Sequence, residues 1–404
     1  MEEGEFYHKY LKYKNKYDNL ISARSKNYQI AGKKINTSEN TIPRMTKVDA
    51  NNLFAVNMFE NLDGASNIFS PFGILFALSL INLAALGNTS DQLTKLLNYN
   101  YSTDDLEIFY KIFNNDTIKI TNLLLINKKY QVDKSYSNMI DNMAIIVSGD
   151  FDDNSTLIVN KTNSYIETRT NGMIKSLVDK EDIQSSTIFV LINTIYFKAA
   201  WEHKFDMNNT TKMKFHKTNI VDMMHQIDYF TYYENNTIQA IEIPYEENNY
   251  VMGIILPKRY LEEDEMNYTV NDAPIISFPE IMEIINNMSY TRLDLYLPKF
   301  TQRKNLELIP VLKKMGVTDL FDHRAVLGIS GNIFVSKIIH EAVVIVDEIG
   351  TEASAATSIN VKMMAMSPRD EPEPKLFKAD HAFIYYIRHV LSGLFLFYGD
   401  YQGS

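Results

Sequence analysis

The chain has 404 residues, of which 45% are hydrophobic, and it carries a net charge of −10 and no cysteine. That is material for a large core, and the missing thiols exclude disulfides, cysteine nucleophiles, thiolate zinc sites and iron–sulfur clusters. A mean hydropathy of −0.21 argues against a chain built of membrane-spanning helices.

Charge is unevenly spread. Residues 1–47 hold ten Lys/Arg against five Asp/Glu, a basic arm on an acidic body. Within it Tyr7, Tyr10, Tyr13 and Tyr17 recur at helical spacing among Lys9, Lys12, Lys14 and Lys16. We expect residues 1–47 to be a Tyr/Lys-rich extension, partly helical or disordered, and 48–404 to be one folded body. The extension is either solvated or a docking arm for a partner, and nucleic acid is the less favoured partner. The start, MEEGEFYHKY, has no apolar stretch of the kind a cleaved secretory signal needs, so an intracellular setting is expected, with secretion left open. The Asn-x-Ser/Thr triplets at Asn154, Asn209 and Asn267 are read as chance in an Asn-rich chain.

Apolar positions at helical spacing predict a first core helix over 49–60. Residues 67–86 predict a short buried strand, then a core helix that starts at Ser70-Pro71 and ends at Gly87. Alternation predicts a strand over 118–126, and an amphipathic pattern predicts a helix over 161–178. The β-branched run TIFVLINTIY, 187–196, predicts a central strand buried on both faces. Further strands are predicted within 238–257, split by a polar turn, over 293–300 and within 332–346. The last apolar run predicts a hairpin turned near Ser392-Gly393. The class expected is α+β.

Catalytic patterns are missing. His340-Glu341 lacks the second histidine of a zinc-protease helix and lies in a β pattern, Ser330 sits in GISG rather than a nucleophile elbow, and no phosphate-binding glycine loop occurs. No catalytic residue, metal or cofactor is expected, and His340 reads as a hydrogen-bonded core residue.

The most informative stretch is EIGTEASAATSINVK, 348–362. Thr351, Ala353, Ala355, Thr357, Ile359 and Val361 are small or apolar, whereas Glu352, Ser354, Ser358, Asn360 and Lys362 in the alternate set are polar. That is the pattern of a strand with one buried face. Yet it runs into MMAMSPRDEPEPK, whose charges and prolines forbid a central strand. The segment therefore has two destinations, loop and strand.

Together with NIFSPFGILFALSLINLAALGNTSDQL, TNGMIKSLV, INTIYFKAAWEHKF, LPKF, KIIHEAVVIVDEIGTEASAAT and FKADHAFIYYIRH, in that order, this stretch resembles the serpin family from about Asn51 to Gly399. The resemblance implies a single domain over 48–404. It would hold a large central mixed β-sheet, two smaller sheets, about eight or nine helices and an exposed reactive-centre loop at about 348–376. It also implies a protease inhibitor, not an enzyme: a suicide substrate that traps a serine or cysteine protease as an acyl-enzyme by inserting its cleaved loop into the central sheet. The alternative is a non-inhibitory member acting as a binding or structural protein through its arm.

By resemblance the loop's hinge is Glu348, Gly350, Thr351, Glu352, Ala353, Ser354, Ala355, Ala356 and Thr357. Ser70, Asn193 and His340 match the shutter where the central strands part, and Trp201, Lys299 and Glu348 match the breach at the sheet's opening end. Gly73 stands where the family usually has serine, Ala382 where it favours proline, and Asp400 where a basic residue is common. Counting from Glu348 puts the reactive bond at Met364–Ala365, and counting back from Phe377 puts it at Arg369–Asp370; the first is preferred. The acidic stretch YSTDDLEIFYKIFNND gives heparin activation no support, and a monomer is expected. The arm and the Asn/Ile/Lys-rich composition resemble giant amoebal virus proteins, which implies an intracellular or virion-associated protein.

Overall fold

The structure, a computed structural model, describes residues 45–403 except 65, 217–218, 259–273, 332 and 352–371. The arm, the loop from Glu352 to Thr357 and both candidate bonds (Met364, Ala365, Arg369 and Asp370) lie outside the described residues.

Helix α1 (Lys47–Asn61) is opened by Thr46, whose hydroxyl accepts from the Asp49 amide. Strand β1 (Ile68–Phe69) leads into α2 (Pro71–Asn82), where Ser70 caps the amide of Gly73 and Pro71 fills the first turn. Every residue of α2 is buried, so this helix is the centre of the core. It ends at Asn82, and Gly87, expected to close it, opens α3 (Gly87–Leu97). Helix α4 (Thr103–Phe113) starts on a capping box of Ser102 and Asp105.

Strand β2 (Ile118–Asn127), helix α5 (Lys134–Ile140) and strand β3 (Ile145–Gly149) follow. Helix α6 (Ser155–Arg169) begins and ends earlier than the 161–178 expected. Its stop is a backbone effect. Asn171 and Gly172 take positive φ, and the Gly172 amide turns back to the Glu167 carbonyl, which a continuing helix cannot do.

Strands β4 (Phe189–Phe197), β5 (Ala199–Ala200), β6 (Thr211–Phe215), β7 (Asn219–Glu234), β8 (Ile238–Pro244) and β9 (Tyr250–Pro257) come next. After α7 (Phe278–Asn286), the run around 293–300 forms β10 (Ser289–Pro298) and β11 (Phe300–Glu307), broken at Lys299. Helix α8 (Ile309–Lys314) precedes β12 (Lys337–Val346) and β13 (Gly350–Thr351). The chain closes with β14 (Lys375–Lys378) and the hairpin of β15 (Phe383–His389) and β16 (Phe395–Tyr401).

Two sheets result. The central sheet runs β3-β2-β4-β12-β13-β5, with β11 on the other edge of β12. It is mixed, as expected: β4–β12 and β2–β3 are parallel and the rest antiparallel. The two smaller sheets expected are continuous through β7, a 16-residue strand whose first part pairs with β6 and β10 and whose last part pairs with β8. Together they make a nine-stranded sheet among the described residues. One large apolar core lies between the sheets around α2, and a smaller one lies under α6 on the opposite face of the central sheet.

Candidate functional site

Two polar clusters sit on the seam between β4 and β12. In the first, Asn193 on β4 is directly opposite His340 on β12, and Asn122 on β2 is opposite Asn193. The Ser70 amide donates to His340 Nε2 at 3.0 Å, so Nε2 carries no proton and Nδ1 does. That Nδ1 lies 2.8 Å from Asn193 Oδ1, Asn193 Nδ2 donates to Asn122 Oδ1 at 2.7 Å, and Asn122 Nδ2 donates to the Met143 carbonyl at 3.2 Å. Burial lowers the His340 pKa to about 3, which keeps the ring neutral as this bonding requires. Three strands are thereby tied by bonds that must be remade if β4 and β12 separate.

Gly73 explains how the network closes without the family's serine. A Cβ there would come 2.5 Å from Asn193 Oδ1, so Asn193 occupies space a side chain would take. Asn122 was missed from sequence. Its signal was a single amide in an otherwise apolar stretch of strand, and only strand register shows that it meets Asn193.

On the face beneath α6, one residue along each strand, Thr121, Thr194 and Glu341 form a second polar row. Both threonine hydroxyls are buried without a hydrogen-bond partner. Glu341 is buried, with Arg303 Nε 2.6 Å from its carboxylate, and burial raises its pKa despite that guanidinium.

The second cluster is at the end of the seam. Lys299 Nζ is 2.7 Å from the buried carboxylate of Glu348, and the Thr210 hydroxyl donates to the same group at 2.7 Å. Burial works against the charge, but these two bonds outweigh it and hold the Glu348 pKa below its ordinary value. Trp201 is fully buried, stacks on Tyr245 at 4.5 Å, and donates its indole N–H to the Asp347 carbonyl at 2.8 Å. The Trp201 and Phe205 amides take the carbonyls of Ile349 and Glu348. Sequence reading missed Thr210 and Tyr245, which carry no local signal because they come from remote parts of the chain.

Here Gly350 and Thr351, at the start of the hinge, are already seated. Thr351 is fully buried and lies 2.6 Å from Tyr245 by hydroxyl-to-hydroxyl contact. Strand β13 pairs with β12 through Val346–Thr351 and with β5 through Gly350–Ala200 and Thr351–Ala199. Gly350 is required: a Cβ would meet the Ala199 carbonyl oxygen at 2.2 Å. Between the remaining parts of β4 and β12, which pair directly from Lys337 to Val343, there is no strand. The central sheet is closed, with Gly350 and Thr351 of the hinge in place.

A closed mixed sheet with Gly350 and Thr351 seated at the end of its central seam and polar ties along that seam defines a large-sheet α+β protein. The chain belongs to the serpin family: the family model described as Serpin (serine protease inhibitor) matches residues 49–402. Members of the family are protease inhibitors rather than enzymes. The chain is 48% identical to the uncharacterized serpin-like protein R700 of Acanthamoeba polyphaga mimivirus, over 99% of this chain and all of that one. It is 32% identical to leukocyte elastase inhibitor A of Mus musculus, over 87% of this chain and 97% of the relative. Among solved structures it superposes on native protease nexin-1 with heparin at a TM-score of 0.76 and 25% identity, over 89% of this chain and 99% of that one.

Proposed function

We propose that this protein inhibits serine or cysteine proteases as a suicide substrate, with Met364 as the residue whose carbonyl carbon acylates the protease nucleophile as its bond to the Ala365 nitrogen breaks, leaving Ala365 to head the released peptide. One observation carries the reading: the two registers of β13 agree with the register of the strands below it. Extended down β12 and down β4, each brings the same loop residue to the same β4–β12 pair. Thr357 would lie between Asn193 and His340, Ala355 between Ile195 and Ala342, and Ile359 between Leu191 and Ile338. The small and apolar set then faces the main core, and the polar set faces the α6 side. Insertion therefore needs separation of β4 and β12 but no sliding of either, and it buries no charge on the core face.

The same register favours Met364 over Arg369. The seat runs to Val361, opposite Phe189 at the start of β4. An acyl group on Met364 would be three residues past the seat, about 10 Å of chain. One on Arg369 would be eight residues past it, about 27 Å of slack that includes Pro368 and leaves the protease loosely held.

The test is incubation with a panel of serine and cysteine proteases, followed by denaturing gels and mass spectrometry of the released peptide. We expect a heat-stable covalent complex and a peptide beginning at Ala365. A peptide beginning at Asp370 would move the bond to Arg369. Cleavage without complex across the panel would favour a non-inhibitory binding protein. Thr351→Arg, which places a charge where the hinge is fully buried, should leave cleavage intact and convert the inhibitor into a substrate. An unchanged stoichiometry of inhibition would sink the insertion mechanism.

A further inference from the structure

Helix α6 and the edge strand β3 enclose a half-open cleft of about 380 Å³ away from the seam. Leu123 and Ile158, both buried, are in its lining. Three large apolar side chains line it while still open to solvent: Ile145 at 41%, Leu157 at 50% and Tyr165 at 37%. Leu157, Lys161 and Tyr165 recur at four-residue spacing along α6, a line with two large apolar side chains flanking one lysine, beside the Ile158, Val159 and Ile166 line that packs on the sheet. Single exposed apolar residues are ordinary, but three converging on one concave space are not.

The charges of the cleft are asymmetric. Asp150 is engaged by Lys128 and by the amides of Asp152 and Asp153. Lys161, the other charged group of the lining, has no hydrogen-bond or ionic partner among the described residues. A ligand that complements the cleft has an apolar body for the walls and an anionic head for Lys161. We propose that the α6–β3 cleft is a binding site for an apolar carboxylate of the medium-chain fatty-acid class. Because α6 packs across β2, β4 and β12, such a ligand would brace the helix against β2 and β3 and oppose widening of the sheet; that consequence rests on the insertion mechanism, whereas binding does not.

The experiment is calorimetric titration of the full-length, uncleaved protein with decanoate, with decanol and decylamine as controls that keep the tail and change the head. Decanoate should bind at one site and more tightly than either control. Lys161→Glu should weaken decanoate at least tenfold and remove its advantage over decanol. Leu157→Asp should abolish both, and the exposure of these side chains lets circular dichroism confirm that each variant is folded. No saturable binding to the parent, equal binding of decanoate and decylamine, or decanoate binding unchanged in both variants would each overturn the site. With a protease the parent traps, decanoate should slow complex formation and leave the rate for Lys161→Glu unchanged. Binding without that slowing would remove the brace and leave the site.

Discussion

His340 shows how one side chain can hold a sheet shut reversibly. Its neutral ring donates to Asn193 and accepts from Ser70, so each bond is of the modest neutral kind and can be exchanged for another on opening. Gly73 is part of that device, because Asn193 uses the space beside it. Gly73→Ser should displace Asn193 from His340 and lower stability by about 1–3 kcal/mol, the range for stranding a buried polar partner, read as a fall in the thermal midpoint. An unchanged midpoint would mean that the network has room for the serine. Glu341 makes the opposite contribution. A carboxyl with a raised pKa stabilises the native state fully below its ordinary value of 4.5, and that contribution is lost as pH rises through the raised value. Glu341→Gln should therefore gain stability over the parent as pH rises from 4.5 to 7.5, measured as the difference between their urea midpoints. A difference that stays constant across that range would show that folding does not raise the pKa of this carboxyl.

Among the elements, β13 has only two residues and is the most consequential. Two residues are held on both sides by backbone pairing, from below by Tyr245 and at their approach by Lys299–Glu348. Gly350 is the residue that lets β13 lie flat against β5. Gly350→Val forces a side chain into the Ala199–Ala200 backbone and should lift β13 out. Trp201, the only tryptophan, bonds through its indole and its amide to the residues just before β13, so its emission should shift to the red in that variant. A parent-like spectrum would mean that the strand accommodates the valine in place.

On the scale of the whole molecule, the closed sheet pairs β4 directly with β12 from Lys337 to Val343. Adding a strand between β4 and β12 would supply backbone hydrogen bonds on both edges and seat the apolar set of the loop against the main core. The ties along the seam named above are made by residues of the body, and we expect the basic arm to play no part in insertion. Deleting residues 1–46 should leave the stoichiometry of inhibition unchanged. A truncated protein that fails to fold, or that is cleaved without trapping, would show the arm to be part of the inhibitory machinery.

What the sequence determined by itself was whatever depends on near neighbours in the chain. The TIFVLINTIY run specified a doubly buried strand and Ser70-Pro71 a helix start. Each follows from residues a few positions apart. The helix expected over 161–178 is present but ends at Arg169, because positive φ at Asn171 and Gly172 overrode the amphipathic pattern beyond it. Tertiary structure alone decided which groups meet. Asn122, Asn193 and His340 are far apart in the chain and are joined by register, and Thr210 and Tyr245 reach the hinge only because the sheets bring them there. Register is a property of paired strands, set by packing between segments hundreds of residues apart, and no single stretch of sequence contains it.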